Sequence, residues 1–225
     1  LNSSEPNLAI LLNYPKKENK KSTIKLYNFS QNLELKGSKN EEKISISFIG
    51  SGNYASRLLI PAFKKSNVSL HSLSANRGVN TVHFGRKFGF KYSSTNIDQV
   101  IKSKNVNTIV IATRHDSHAD LVIKSLEAGK NVFVEKPICI NIEELKKIRE
   151  TYMKILKKRK KQILMVGFNR RFSPLTVSLK NKLSNLNSKQ AFIYTCNAGK
   201  LDKNNWQFDP NIGGGRLIGE ACHFV

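Results

Sequence analysis

Acidic side chains are scarce in this sequence: 16 Asp and Glu stand against 38 Lys and Arg, a formal net charge of +22 over 225 residues. Long hydrophobic runs are missing too. No apolar stretch approaches the ~20 residues that cross a bilayer, so no membrane partner is expected. Cysteine is rare: Cys139, Cys196 and Cys222 are odd in number and far apart. That pattern argues against a disulfide framework and fits a reducing compartment, so a cytoplasmic location is expected. None of the three has metal-ligand spacing. His115 and His118 form an H-x-x-H pair with no evident third ligand, so no metal is expected. The opening LNSSEPNLAILLNYPKK has neither a basic n-region nor a small-residue cleavage site, and it starts on Leu1 rather than Met. The chain is expected to be a fragment of a longer one.

The basic excess invites a nucleic-acid reading. Most of it is Lys, spread over the linker, helix faces and loops, with one dense run at Lys157-Lys158-Arg159-Lys160-Lys161. Nucleic-acid surfaces interleave aromatics or Arg with the basic residues. Here the run closes a helix, where cations suit the negative end of the dipole. A solvated surface is the favoured reading, and nucleic acid is a disfavoured partner.

Residues 1–15 hold one apolar run, LAILLNY, read as a tail strand; residues 16–43 are Lys-, Asn- and Glu-rich and read as a linker. From Ile44 the texture changes. ISISFIG, VSLHSLS, NTIVIAT, NVFVEKP and QILMVGF read as strands. Between them lie helices: ASRLLIPAFKK, kinked or shortened by Pro61; Val79 to Phe88, ending at Gly89; STNIDQVIKSK, with Ser94 as a possible cap and Asp98 near the start; HADLVIKSLEAG, capped by Ser117 and stopped by Gly129; and a long helix to about Lys158 behind an Asn141/Glu144 capping box. Apolar strands alternating with helices of this length mean right-handed βαβ units. The predicted fold class is α/β, a doubly wound parallel sheet over 44–167. Residues 168–225 read as the start of an α+β domain, with a helix from about Ser173 to Leu183, a strand AFIYTCNAG and a loop at Gly213-Gly214-Gly215.

Directly after the first of these strands stands Gly50-Ser51-Gly52-Asn53-Tyr54-Ala55, which matches G-x-G-x-x-A. In this fingerprint the first Gly permits a tight turn, the second lets backbone approach a pyrophosphate, and Ala55 allows close helix-on-strand packing. The helix that opens there turns its N–H groups toward the phosphates. An NAD site usually carries a carboxylate at the end of the second strand. Here the segment is Ser74-Ala75-Asn76-Arg77. Arg77 can meet a 2′-phosphate, with Ser74 and Asn76 donating hydrogen bonds, which favours NADP over NAD.

Three further segments, IATRHDSHADL, VFVEKPI and GGGRLIGEACHF, together with the fingerprint, resemble the glucose–fructose oxidoreductase / inositol dehydrogenase (Gfo/Idh/MocA) family from about Ile44 to the end. The resemblance implies a Rossmann domain followed by a substrate and oligomerisation domain, incomplete over 168–225. It implies that Lys136 bonds the substrate hydroxyl and the nicotinamide ribose, with a cis bond before Pro137, and that His223 is the general acid/base. It places Thr113 and His118 beside the nicotinamide and Glu135 near its ribose and carboxamide. The family commonly has Asp four residues before the histidine and Pro after the Thr; here these are Gly219 and Arg114, and Glu220 is offered as an orienting group. Arg170 and Arg171 are candidate substrate contacts, and Trp206 is read as packing rather than a sugar platform. EPNLAILLNYP resembles the closing strand of a zinc-type alcohol dehydrogenase domain fused ahead of such modules.

These readings imply an NAD(P)-dependent oxidoreductase acting on a sugar, nucleotide sugar or cyclic polyol, a homo-oligomer at full length, with weak turnover from these residues alone. A catalytically silent dinucleotide-binding module and a basic nucleic-acid-binding protein are the alternatives.

Overall fold

A computed structural model of the chain describes residues 21–26, 44–158, 161–197 and 199–224. The apolar runs form the strands β2 (Ser45–Ile49), β3 (Ser69–Ser74), β5 (Thr108–Ile111), β6 (Asn131–Val134) and β7 (Leu164–Val166); two short strands that the sequence reading lacked, β1 (Thr23–Lys25) and β4 (Tyr92–Ser94), join them. The helices are α1 (Ile60–Lys65), α2 (Gly78–Phe88), α3 (Ile97–Lys102), α4 (His118–Glu127), α5 (Ile142–Lys157), α6 (Pro174–Leu183) and α7 (Gly215–Glu220). All strands join one sheet in the order β1-β4-β3-β2-β5-β6-β7. Every pairing is parallel except β1 on β4. From β2 the chain builds outward through β3 and β4, then returns to the other side of β2 at β5. That reversal is the topological switch point of a doubly wound Rossmann sheet.

Alternate residues of each strand face opposite sides. Ile46 and Phe48 of β2, with Val110 of β5, enter a core under α1 and α2; Ile49, Ile109 and Ile111 enter a second core under α4 and α5. Phe48 packs edge-on against Phe63 and Phe90, with ring centroids 5.5 Å and 5.9 Å away. The buried hydroxyls of Ser47 and Ser72, on neighbouring strands, bond one another at 2.6 Å.

Several expected elements differ in detail. The stretch read as a linker contributes β1, zipped to Tyr92–Ser94, and Leu26 behind it is buried. Its Cδ1 occupies the place where a side chain on Gly85 of α2 would start, 2.5 Å from that Cβ position. The tail strand read at 1–15 lies outside the described residues. Pro61 stands in the first turn of α1, which is shortened to Ile60–Lys65; a π-helical turn, Ala55–Leu59, precedes it, and Ile60 N–H reaches back to Ala55 O. The wider turn absorbs the donor that proline lacks. Ser94 ends β4 instead of capping; Asn96 caps α3 by accepting from Gln99 N at 3.0 Å. Ser117 sits at the start of α4, but its hydroxyl turns back to Thr113 Oγ1 (2.6 Å). Asn141 accepts from Glu144 N at 2.8 Å, and Glu144 accepts from Ile140 N, one residue outside a strict capping box. Gly89 and Gly129 end α2 and α4 with φ of 87° and 79°. The strand expected in AFIYTCNAG is not formed: residues 191–197 carry no regular structure, and no neighbouring strand pairs with them among the described residues. No described helix is long and apolar enough to cross a membrane.

Candidate active site

The C-terminal ends of the parallel strands open on one cleft of ≈ 1570 Å³ at the switch point. Single small-molecule sites are commonly ~300–1,000 Å³, so there is room for a dinucleotide and a second molecule. At one side stands the glycine turn. Gly50 has φ +109°, and a Cβ there would lie 2.2 Å from Ala112 O, because the β2 and β5 loops pass in contact. Its N–H is tied to Ser74 O at 2.7 Å. Gly52 is the opposite case. A Cβ on it would meet nothing within 4 Å, on the cleft wall. The first glycine is demanded by the protein itself, whereas the second leaves open space over a helix start at Asn53. Ala55 is buried in the packing beneath. The residues present therefore fit a dinucleotide pyrophosphate.

Asn53, Tyr54, Asn76 and Arg77 line the same cleft. Ser74 does not: it is fully buried, and what it offers the turn is its carbonyl. Its position as the last residue of β3 points the side chain into the sheet packing. Tyr54 Oη accepts from Asn169 Nδ2 at 2.8 Å, a link across the cleft that no motif announced.

Beyond β5, Thr113 Oγ1 donates to Arg114 O at 3.2 Å and accepts from Ser117. His118, expected beside the nicotinamide, is fully buried. Its Nδ1 lies 2.6 Å from Pro137 O and its Nε2 3.3 Å from Thr113 O. A neutral ring has one N–H, and the shorter contact marks it as Nδ1 donating to Pro137 O, while Nε2 packs against the Thr113 carbonyl, so the residue still lies between the two loops that flank the site. Burial pushes its pKa below the usual histidine range, against the pull of the Pro137 carbonyl. The peptide between Lys136 and Pro137 is cis. Lys136 Nζ donates to Gly219 O. Glu135 lies close to Gly167; burial raises its carboxyl above the usual range, and the Lys136 amide and charge oppose this.

His223 reaches the cleft from the turn Ala221–His223, and its Nδ1 is buried without a partner among the described residues. Burial, then Lys136 and Arg170, lower its pKa, so the ring is neutral near pH 7. Glu220 lines the cleft, but among the described residues it makes no ion pair or hydrogen bond with His223; its influence is that of a nearby charge. Of the paired arginines the cleft takes Arg170, whose guanidinium lies 4.9 Å over the Phe224 ring. Arg171 turns away over Phe172 at 5.5 Å. The two stand in a 3-10 turn, Asn169–Phe172, where neighbours project about a third of a turn apart. His115, Asn169 and Trp206 join the wall without having been singled out as site residues; the H-x-x-H spacing was the only sequence signal for His115, and it points to metal. No group of metal ligands forms among the described residues.

A parallel sheet wound both ways from a glycine turn, with a lysine and a histidine converging at its switch point, defines the class of dinucleotide-binding α/β oxidoreductases. The sequence model of the Gfo/Idh/MocA family, described as "Oxidoreductase family, NAD-binding Rossmann fold", matches residues 44–168, and the chain belongs to that family. Oxidoreductase P35 of Formosa agariphila is 29% identical over 201 residues, 82% of this chain and 61% of that protein. The scyllo-inositol 2-dehydrogenase (NAD(+)) of Bacillus subtilis is 33% identical over 102 residues, 44% of this chain and 27% of that one. Among solved structures, a levoglucosan dehydrogenase in complex with NADH and levoglucosan superposes with a TM-score of 0.65 at 22% identity, over 81% of this chain and 52% of that one, which supports the fold. The chain thus spans less than two thirds of the length of these relatives.

Proposed function

We propose that the chain carries the cofactor site and part of the substrate pocket of an NAD(P)-dependent oxidoreductase acting on a hydroxyl-bearing carbon of a sugar, nucleotide sugar or cyclic polyol. The observation that carries this reading is the meeting of the open Gly52 turn, Lys136 and His223 in one cleft. Asn53, Tyr54 and the Gly50–Ala55 turn hold the phosphates, Asn76 and Arg77 face the adenosine ribose, and Thr113 and Glu135 border the nicotinamide. A bound nicotinamide would supply or receive the hydride. Lys136 donates a hydrogen bond to the reacting oxygen, steadying the charge that develops on it, and neutral His223 takes the hydroxyl proton. His118 acts through the loops it joins.

Finer points belong to the same proposal. Arg77, with no carboxylate at the end of β3, favours NADP over NAD. Residues 44–167 form the cofactor domain and 168–225 begin a substrate and oligomerisation domain of a cytoplasmic homo-oligomer; residues 1–15 derive from a preceding zinc-type alcohol dehydrogenase domain. The named substrates of the inositol and levoglucosan relatives support a polyol or sugar.

Titration with NADPH and NADH, followed by nicotinamide fluorescence at moderate salt, tests the reading. Saturable binding is expected, tighter for NADPH. Gly52→Asp should weaken it roughly 10- to 1,000-fold, the ~1–4 kcal/mol of a carboxylate set against phosphate at close range. A folded protein that binds neither cofactor overturns the proposal and brings the basic-surface reading forward.

A further inference from the structure

We propose that Asn169 is a positioning residue: by donating to Tyr54 in the cofactor turn, it sets where its chain neighbours Phe168 and Arg170 hold His223. This rests on the oxidoreductase reading above and adds to it a link between the two halves of the site.

The chain leaving β7 is tightly wound. Phe168 N–H donates to Val166 O and Asn169 N–H to Gly167 O, each at 2.8 Å. Gly167 anchors this coil: it is buried, and a Cβ on it would lie 2.9 Å from Glu135 Oε1. Beyond it, every residue of the 3-10 turn Asn169–Phe172 is exposed. Three consecutive side chains then take different partners. Phe168 meets the His223 ring edge-on, with centroids 6.3 Å apart. Arg170 lies 4.9 Å over the Phe224 ring. Asn169 reaches the other way, to Tyr54 Oη at 2.8 Å. Among the described residues no other side chain of 168–172 hydrogen-bonds to the sheet domain, so this bond decides where the exposed turn stands. His223 has no hydrogen bond of its own to fix it, since its Nδ1 is buried without a partner among the described residues. Its placement follows the segment that packs on it and on Phe224.

The bond also responds to what fills the turn. Tyr54 Oη accepts from Asn169, so the phenol keeps its own proton to give into the cleft that it lines. Burial, then Glu135, hold the phenol above its usual pKa against the pull of the Asn169 bond, so that proton is present at neutral pH. A phosphate oxygen that accepts it makes Oη a better acceptor and tightens the bond to Asn169, because linked hydrogen bonds polarise one another. Occupying the cofactor turn thus steadies the turn that carries Arg170 and, with it, the histidine.

The test compares wild type with Asn169→Leu, Tyr54→Phe and the double variant, using NADPH as the probe. NADPH binding is followed by fluorescence. The His223 imidazole signals, assigned among the five histidines by comparison with His223→Gln, are followed against pH without cofactor. Burial, then Lys136 and Arg170, lower the His223 pKa, and Glu220 opposes them. Loosening the turn frees Arg170, so each single variant should titrate closer to about 6.5 than wild type does. The double variant should shift no further than either single one. Asn169→Leu should bind NADPH about two- to tenfold more weakly, the worth of one such hydrogen bond. Should Asn169→Leu fail to fold, Tyr54→Phe decides through His223. A His223 titration that either single substitution leaves unmoved, or shifts that add in the double variant, marks a structural tie and overturns the proposal; NADPH binding by the same wild-type sample leaves the oxidoreductase reading standing. A folded wild type that binds no NADPH removes both.

Discussion

Gly50 turns the chain at a φ of +109° beneath the Ala112 carbonyl, two demands that no L-side chain meets. Gly50→Ala should cost about 2 kcal/mol or more in chemical denaturation, with the cofactor turn lost alongside stability. His118 has a different signature. Its folded-state pKa lies below 6.5, so the unfolded ring takes a proton first as pH falls. Its contribution is complete above about pH 6.5 and is lost as pH drops toward the folded value. Acid unfolding monitored by circular dichroism should therefore steepen below pH 6.5. His118→Ala should flatten that slope in part, since His71, His115 and His223 are lowered too, and should cost about 2–4 kcal/mol at neutral pH. The glycines were legible in the sequence because their constraint is local backbone geometry. The task of His118 was not, because it depends on which carbonyls two distant loops bring to the ring. Arg170 and Arg171 differ only in the phase of a short turn, which sequence does not encode.

At the level of elements, alternation of apolar strands and helices sufficed to read β2, β3, β5, β6 and β7, but missed β4, whose YSS sequence carries no apolar run. Its errors fall where a partner decides the outcome. Residues 23–25 are polar and short, yet pair with β4; residues 191–197 look like a strand, yet pair with nothing described. Capping errors were smaller, since Ser94 and Asn96 both have capping chemistry and the two-residue difference is set by where β4 ends. Asn96→Ala should destabilise by about 1 kcal/mol, whereas Ser94→Ala removes both the 2.7 Å bond to Thr23 Oγ1 of β1 and the 3.0 Å bond accepted from Asn96 N. Comparing the two by thermal melts separates cap from zipper: only the second should expose the Thr23–Lys25 amides to faster hydrogen exchange. Phe48→Ala, which empties the centre of the aromatic cluster, should cost about 3–5 kcal/mol by the same melts.

For the molecule as a whole, charge is the dominant unspent force. Among the described residues both ion pairs involve Lys124, with Asp98 and Asp120, so most cations repel one another without relief. Raising NaCl from about 10 to 150 mM shortens the screening length from ~30 to ~8 Å. Tm should rise by about 2–4 °C, the shift expected for ~1 kcal/mol in a chain of this size. A falling Tm would mean that attractive pairs outweigh the repulsion. The basic excess thus bears on stability and solubility, while the site is built from backbone turns and a few converging side chains.

The small antiparallel strand at the sheet's edge also has a mechanical meaning. β1 lies six inter-strand spacings from β7, about 29 Å. Tension from anything upstream of residue 21 is met first by a three-residue zipper and the Leu26 peg at the sheet's edge. The strand works as an outer mooring, so a pull from that side is felt at the sheet's edge, with two strands between it and β2 and five between it and β7.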